Sequence, residues 1–185
     1  VAIAQLFDPS ISENDAFVPV LPDRKADVLK QLAGYGIEAG KHRILALSPS
    51  RPSPRRSLWP LPQLLSVADQ LKGSNLADKV VAVGASEEGS EIAAIDTRRV
   101  IDANLAGRIP VAALSAFFST CTLTLGNDGG LLHVAGAVGC PVVDILGGIP
   151  PSYRPPGRKT QILQGGASLS VEAVYEACKK AVTEK

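Results

Sequence analysis

The sequence contains no methionine and few aromatic residues, since phenylalanine, tryptophan and tyrosine together make up 4% of its 185 residues. A core must therefore be built from alanine, valine, leucine and isoleucine, a composition that suits strands buried between layers of helices. Long apolar runs are also lacking, because no stretch approaches the roughly 20 residues that span a bilayer. The length suits one compact domain with a tail and is too short for two domains of ordinary size.

Cysteines are scarce, and neither sign of charge is in excess. Cys121, Cys140 and Cys178 lack the spacing of a zinc site or a disulfide framework, which favours a reducing cytoplasm. The 19 basic and 18 acidic residues leave a net charge of +1, which argues against electrostatic capture of nucleic acid. The start, VAIAQLFDPS, lacks the pattern of a signal peptide. A first residue of valine and the lack of methionine suggest a longer parent protein.

Apolar strands alternate with amphipathic helices along the chain. Residues 1–22 contain three prolines and no sustained periodicity and predict an interdomain linker or tail, whereas residues 23–185 predict one domain. The alternation predicts an α/β fold with a doubly wound, mainly parallel sheet and right-handed crossovers. Ligands bind beyond the carboxyl ends of the strands in such sheets. Strands are expected at 44–47, 79–83, 100–104, 122–125, 141–146 and 160–163, and helices at 24–36, from Pro60 or Pro62 to 71, at 87–95, at 110–118, from about 129, and at 171–183.

The most informative stretch is TLTLGNDGGLLHVAGAVGCPVVDILGG, residues 122–148. Gly129 and Gly130 leave backbone N–H groups unobstructed at the start of a helix, where the helix dipole favours a phosphate. Asp128 is expected to cap that helix, and His133 lies about one turn further on, within reach of the same ligand. Taken alone, the pattern also fits a glycine turn without a ligand and a histidine that is hydrogen-bonded in the core.

Residues 126–148 resemble the G-N-D-S/T-G-x-x-H-x-A-A-A-x-G-x-P-x-V-x-L-F-G-P stretch of family 9 glycosyltransferases, the ADP-heptose:lipopolysaccharide heptosyltransferases. The segments ILALSPSRPSPRRSLWPLPQLLSVADQL, KVVAVGASEEGSEI and NLAGRIPVAALSAFFSTCTLTLGND resemble further elements of that family in the same order, so that the similarity runs from about Ile44 to Pro156. The resemblance implies a GT-B arrangement, in which two Rossmann-like domains face each other across a cleft. This chain is similar to the C-terminal half, which binds the nucleotide-sugar, and residues 1–22 look like the interdomain connection.

The resemblance also implies roles for basic and small residues. Asp128, Gly129, Gly130 and His133 fall on the donor-binding turn, against the diphosphate or the sugar. Ser50 and Arg51 fall near the family's small-residue loop after the first strand. Arg55 or Arg56 corresponds to the basic residue that neutralises the donor phosphate. An arginine fork suits that oxyanion well, although each arginine also fits a solvated loop.

Other positions correspond to the nucleoside. Either Glu87 or Glu88 falls where the family has an acid that bonds the ribose hydroxyls, and Arg108 and Ile109 fall in the loop that passes the base. The two glutamates also fit ordinary acids of a first helical turn. Trp59 is expected to be a packing anchor.

The chain departs from the family pattern at three places. Gly129 stands where the family has Ser or Thr, and Ser57 stands where it has a basic residue two positions before the tryptophan. The loop after Leu146 reads GGIPPSYRPPG in place of Gly-Pro-Thr. These departures bear on the identity of the donor and on activity.

The implied function is that of the donor-binding domain of an inverting glycosyltransferase, which transfers heptose from ADP-heptose to a lipopolysaccharide core or another glycolipid. The catalytic base is expected in an N-terminal domain outside this chain, so that no catalytic residue is assigned here. No metal or cofactor is expected, because the sequence has no Asp-x-Asp pair. A cytoplasmic location, peripheral to the inner membrane, is expected.

Two alternatives come from other classes of protein. One is a non-catalytic sugar-nucleotide-binding module or inactive homologue, which the departures at Gly129 and Ser57 favour. The other is a nicotinamide-cofactor domain, which is disfavoured because no G-x-G-x-x-G motif follows the first strand.

Overall fold

Helices and strands alternate along the chain in a computed structural model that describes residues 17–50, 57–148, 154–157 and 159–183. The α-helices in this part of the chain are α1 (Pro22–Ala33), α2 (Leu61–Gly73), α3 (Ser86–Ile95), α4 (Leu114–Phe118), α5 (Gly130–Ala137) and α6 (Val171–Thr183). The strands are β1 (Ile44–Ser48), β2 (Lys79–Ala82), β3 (Ala103–Asn104), β4 (Leu123–Asn127), β5 (Val142–Leu146) and β6 (Thr160–Gln164).

These strands form a parallel sheet with the order β3-β2-β1-β4-β5-β6. The order confirms the expected Rossmann-like, doubly wound α/β fold. The chain moves outward from β1 to β2 and β3 on one side, then returns to place β4 on the other side of β1. The switch point between β1 and β4 is where ligands bind in open sheets of this kind.

The central strands are buried along their whole length because helices cover both faces of the sheet. β1, β4 and β5 are buried at every position. Val143 and Ile145 pack in a core with residues of α2, α3 and α6, whereas Val142 packs on the opposite face with residues of α1, α4 and α5. Trp59 is buried in the first core, and its indole N–H donates to the Leu169 carbonyl oxygen at 3.0 Å, which confirms its role as a packing anchor.

The third strand is shorter than the expected range 100–104. Val100 and Ile101 donate their backbone N–H groups to the carboxylate of Asp96, at 2.8 and 2.9 Å. The Asp96 side chain thus binds backbone N–H groups that a longer strand would use for pairing. Regular pairing with β2 therefore begins only at Ala103.

The segment that precedes α1 lies against the rest of the domain. Val18 donates its N–H to the Ala137 carbonyl oxygen at 3.3 Å, and the Ser115 hydroxyl donates to the Pro19 carbonyl oxygen at 3.0 Å. Helix α1 itself begins at Pro22, which suits a first helical position because proline has no N–H to leave unpaired. Within the described ranges, no helix is both long enough and apolar enough to cross a membrane.

Candidate functional site

A cleft of about 410 Å³ opens beside the switch point, at the carboxyl ends of the strands. Residues after β1, β2 and β4 line it, so these three loops open at the same end of the strands. A smaller cavity of about 210 Å³ lies between α2 and the loop after α3. The residues that line this smaller cavity include none of the predicted site residues, so the larger cleft is the candidate site.

The turn between β4 and α5 forms one wall of the cleft. Its strand lies so close to β1 that a Cβ on Gly126 would fall 2.1 Å from the Ser48 carbonyl oxygen, which only glycine permits. The N-cap of α5 is Gly129, so the expectation that Asp128 caps this helix is wrong. Asp128 is buried one residue earlier, and its N–H donates to the Ile145 carbonyl oxygen at 3.1 Å, which fixes the turn to β5.

The first residues of α5 face the open space. Gly129, Gly130 and Leu131 line the cleft, and a Cβ on Gly130 would have no heavy atom within 4 Å. The structure therefore brings the unobstructed helix start to the cleft. His133 follows one turn later; it is half-buried and is not among the described residues that line the cleft.

Asn127 has a role in the site that the sequence did not indicate. Its side chain is buried, with 1% exposure, at the end of β4. The amide nitrogen donates to the carbonyl oxygens of Pro49 at 2.7 Å and Trp59 at 3.1 Å, and the amide oxygen accepts the Trp59 N–H at 2.7 Å. One amide thus joins the two ends of the loop between β1 and α2. The G-N-D motif contained this residue, but a distant partner cannot be read from a motif.

Ser50 lies in the cleft directly after β1. Its φ of 62° is in the left-handed region, and its hydroxyl donates to the carbonyl oxygen of Asn127 at 2.9 Å. The sequence placed Ser50 near the ligand, and the structure brings it to the turn at the start of α5. The three arginines predicted to follow in this loop, Arg51, Arg55 and Arg56, lie outside the described residues.

The returning end of this loop is also fixed at the sheet edge. Ser57 donates its N–H to the Gly147 carbonyl oxygen at 3.0 Å, just after β5. A Cβ on Gly147 would fall 1.8 Å from the Ser57 carbonyl oxygen, and one on Gly166 would fall 2.6 Å from it. Two glycines therefore let the main chain at Ser57 pack tightly against the sheet, where the family pattern has a basic residue.

The two candidate glutamates occupy different environments. Glu88 lines the cleft and is 7% exposed, whereas Glu87 is exposed and accepts a hydrogen bond from the Ser86 hydroxyl at 3.1 Å. A Cβ on Gly84 would fall 1.8 Å from Glu88 Oε2, so the glycine makes room for this carboxylate. Of the two glutamates, the structure brings only Glu88 to the cleft.

The loop after β3 supplies an apolar wall. Ile109 and Val111 line the cleft, and Val111 is 85% exposed. Arg108 is exposed and donates to the Tyr35 hydroxyl at 2.9 Å, while its carbonyl oxygen accepts a hydrogen bond from the Gln31 amide at 3.4 Å. Ile109 is thus in the cleft, and the described residues that line the cleft do not include Arg108.

The cysteines lie apart from this cleft and are free. Burial raises the pKa of the Cys140 thiol to about 11 and also raises the pKa of the Cys178 thiol, which favours the protonated form near neutral pH. In the described part of the chain, no group of three or more His, Cys, Asp or Glu residues is arranged to hold a metal ion.

The family model of glycosyltransferase family 9 (heptosyltransferase) matches residues 6–179. The chain belongs to glycosyltransferase family 9. The match confirms the family resemblance of the motifs between Ile44 and Pro156. In this family 9 chain, the cleft is formed by several of the segments that resemble the family.

Known relatives agree with this membership. A curated relative, lipooligosaccharide heptosyltransferase 2 of Haemophilus influenzae, is 26% identical over 166 residues, which cover 83% of this chain and 47% of the relative. The fold is similar to that of the family 9 glycosyl transferase from Veillonella parvula, with a TM-score of 0.80, 18% identity, and coverage of 91% of this chain and 54% of that structure. It is also similar to E. coli ADP-heptose lps heptosyltransferase II, with a TM-score of 0.71, 23% identity, and coverage of 90% and 53%.

A structure of the E. coli heptosyltransferase WaaC with ADP shares the fold, with a TM-score of 0.62 and 14% identity over 74% of this chain and 44% of that one. The chain spans about half the length of these relatives.

Proposed function

We propose that this family 9 chain is the donor-binding domain of an inverting glycosyltransferase, which transfers heptose from ADP-heptose to a lipopolysaccharide core acceptor. The observation behind the proposal is the composition of the cleft at the switch point. It combines an open helix N-terminus and a hydroxyl with a carboxylate and an apolar wall. These are the groups that a nucleoside diphosphate requires.

Each part of the cleft suits one part of such a ligand. The N–H groups of the N-cap Gly129 and of Gly130, the first residue of α5, and the Ser50 hydroxyl are donors suited to the diphosphate. The carboxylate of Glu88 is an acceptor suited to the ribose hydroxyls. Ile109 and Val111 offer the apolar surface on which a base can pack.

The names of relatives support ADP-heptose as the donor. The curated relative is a heptosyltransferase, one structural neighbour is an ADP-heptose heptosyltransferase, and another contains ADP. We propose lipopolysaccharide as the acceptor on the same basis, with the acceptor bound by a domain outside this chain. A cytoplasmic location, peripheral to the inner membrane, belongs to this proposal.

The chemistry proposed for this chain is stabilisation of the leaving group. As the glycosidic bond to the diphosphate breaks, negative charge grows on the phosphate oxygens, and the α5 amides stabilise it without rearrangement. Arg55 or Arg56 is proposed to add a guanidinium, and His133 a further donor. Because positive charge and amides perform this role, we propose that no metal or cofactor takes part. The base that deprotonates the acceptor hydroxyl is assigned to the other domain.

A second candidate is a non-catalytic module that binds sugar nucleotides. Gly129 favours it, because glycine at the N-cap of α5 supplies no side-chain hydroxyl to the site. The two candidate functions can be distinguished by mixing this chain with a separately expressed N-terminal domain of a family 9 relative. Sugar transfer by the mixture supports the enzyme, whereas binding of donor without transfer supports the module.

Calorimetric titration of the chain with ADP, GDP, UDP and CMP tests the proposed donor. We expect ADP to bind with the highest affinity, and adenosine to bind more weakly than ADP because it lacks the diphosphate. A preference for UDP or GDP would replace ADP-heptose with another donor class. Absence of binding by all four nucleotides would refute the proposed function.

A further inference from the structure

Gly129 and Ser50 meet at the rim of the cleft. Gly129 is the N-cap of α5, a position where helices favour Ser, Thr, Asp or Asn. Its backbone is extended, with φ of 178° and ψ of 165°. Extended backbone with φ near 180° is accessible to any residue, so the local conformation does not require glycine here.

The space beside Gly129 is taken by Ser50. A Cβ at position 129 would lie 2.9 Å from Ser50 Oγ, and the next neighbour, the Asn127 carbonyl oxygen, would be 3.7 Å away. The Ser50 hydroxyl is held by its 2.9 Å hydrogen bond to the same carbonyl oxygen, with a longer approach of 3.4 Å to that of Asp128. A side chain at position 129 therefore requires the Ser50 hydroxyl to move, and this contact comes from the loop after β1 and not from the helix.

The backbone of Ser50 is fixed in a conformation that serine rarely adopts. Its φ of 62° is left-handed, which costs free energy for a residue other than glycine. Such strain persists when surrounding contacts fix it, and strained residues cluster at ligand sites. Ser50 and Gly129 both line the cleft, so the residue with the strained backbone lies beside the open start of α5.

We propose that Ser50 and Gly129 form one coupled pair in the binding site, in which Ser50 supplies a hydroxyl to the ligand and a side chain at position 129 displaces that hydroxyl. On binding, the hydroxyl turns from the Asn127 carbonyl oxygen to an oxygen of the anion. The identity of that anion as a diphosphate rests on the proposed function. The steric relation between the two positions does not depend on it.

Calorimetry with ADP and adenosine tests the pair. Ser50→Gly removes the hydroxyl and relieves the backbone, so we expect roughly tenfold weaker ADP binding and unchanged adenosine binding, as for loss of one hydrogen bond to a charged group. Gly129→Ser should also weaken ADP binding, because its Cβ displaces the Ser50 hydroxyl. The double variant Ser50→Gly/Gly129→Ser should bind ADP within about threefold of the unchanged chain, since its one hydroxyl has free space.

A matched control removes a hydroxyl elsewhere. The Ser119 hydroxyl donates to the Ala116 carbonyl oxygen at 2.8 Å, and Ser119 is not among the residues that line the cleft. Ser119→Ala should therefore leave ADP affinity unchanged. Unchanged ADP affinity of Gly129→Ser would show that both side chains fit together and would overturn the pair. A double variant no better than the weaker single variant would overturn it as well.

Thermal unfolding distinguishes this inference from the proposed function. Gly129→Ala should lower Tm more in the unchanged chain than in the Ser50→Gly background, because only the former contains the opposing Oγ. Equal losses of Tm in both backgrounds would overturn the pair even if ADP binds. Failure of the unchanged chain to bind any nucleotide would refute the proposed function and the hydroxyl's role in binding, while unequal losses of Tm would still establish the steric relation.

Discussion

Asn127 and Trp59 are joined by two hydrogen bonds although they lie 68 positions apart in the chain. The side-chain amide of Asn127 accepts the Trp59 N–H and donates to the Trp59 carbonyl oxygen, and its second amide hydrogen is donated to Pro49. The beginning and the end of the loop between β1 and α2 are therefore fixed to the carboxyl end of β4. This one buried side chain therefore helps to fix the position of Ser50 at the cleft.

Replacement of Asn127 by alanine should be strongly destabilising. It leaves the Trp59 N–H and the carbonyl oxygens of Pro49 and Trp59 without their partner, and one such buried group costs about 1–3 kcal/mol. We expect a loss of about 3 kcal/mol in the free energy of unfolding, measured by urea denaturation. Asn75→Gly is the control: it removes an exposed amide whose oxygen accepts one hydrogen bond, from the Arg43 guanidinium at 2.7 Å, at a φ of 59° that glycine accommodates. A loss for Asn127→Ala no greater than that of the control would contradict the role of the amide.

Gly130→Val should weaken nucleotide binding without unfolding the chain. A Cβ on Gly130 meets no heavy atom within 4 Å, so the valine fits, but it stands between the cleft and the first amides of α5. We expect ADP affinity to fall by roughly tenfold or more while Tm changes little. Gly73→Val is a matched control, since Gly73 ends α2 and a Cβ there also meets open space. Equal affinities of the two variants for ADP would place the diphosphate elsewhere.

The environments of the two glutamates predict different effects of the same substitution. Glu88→Gln keeps the shape of a residue in the cleft and removes its charge, whereas Glu87→Gln changes an exposed residue. Hydrogen bonds to a charged acceptor contribute about 1.5–3 kcal/mol, so we expect about tenfold weaker ADP binding for Glu88→Gln only. Titration with 2′-deoxy-ADP supplies the check. If Glu88 binds the ribose, this ligand should lose less affinity than ADP on the same substitution, and equal losses would argue against a ribose contact.

The chain by itself should bind the donor but transfer no sugar to lipid. The base and the acceptor site are both proposed to belong to another domain, and Asp128 lies buried beside the helix that is proposed to hold the leaving group. An in-line displacement requires the base on the opposite face of the sugar. Incubation with ADP-heptose and heptose-deficient lipopolysaccharide should yield at most slow hydrolysis of the donor. Robust transfer above that of Gly130→Val would show that this chain contains a complete active site.

Acid should remove a stabilising contact between Arg43 and Asp78, which lie just before β1 and β2, at the opposite ends of these strands from the cleft. Hydrogen bonds from the Arg43 guanidinium, one of them 2.9 Å from Nε to Oδ2, hold the pKa of Asp78 well below its usual range. A lowered pKa means that this contribution is fully present above the unfolded pKa of about 3.9 and is lost progressively as pH falls from there toward the lower pKa of the folded state. Asp78→Asn should therefore lower the urea midpoint more at pH 7 than at pH 3.

The more exposed pair of Asp69 and Arg98 supplies the comparison for this effect. Asp69→Asn should change the urea midpoint little at either pH, because exposed ion pairs contribute little. A difference between pH 7 and pH 3 that is the same for both variants would show that the Arg43 contact does not cause it.

The sequence by itself determined the class of fold and the edge on which the site lies. Largely apolar runs such as Ile44–Ser48 and Val142–Leu146, whose polar members are Ser48 and Asp144, are typical of strands buried between two helix layers, and their alternation with helices favours a parallel, doubly wound sheet. The turn at Gly129 and Gly130 could also be predicted from the sequence, because the strand, the glycine turn and the helix are consecutive in the chain.

Only the tertiary structure decided which side chains meet in the cleft. In the structure, Glu88 lies in the cleft and Glu87 lies outside it. The strand β3 is shorter than expected, because the Asp96 carboxylate binds backbone N–H groups before it, and the N-cap of α5 is Gly129 instead of Asp128. The contacts of Asn127 with Trp59, and of Ser50 with the space beside Gly129, join residues nearly 70 to 80 positions apart. Such pairs become neighbours only through the register of β1 against β4, where Ser48 lies opposite Gly126, and no local pattern of residues specifies that register.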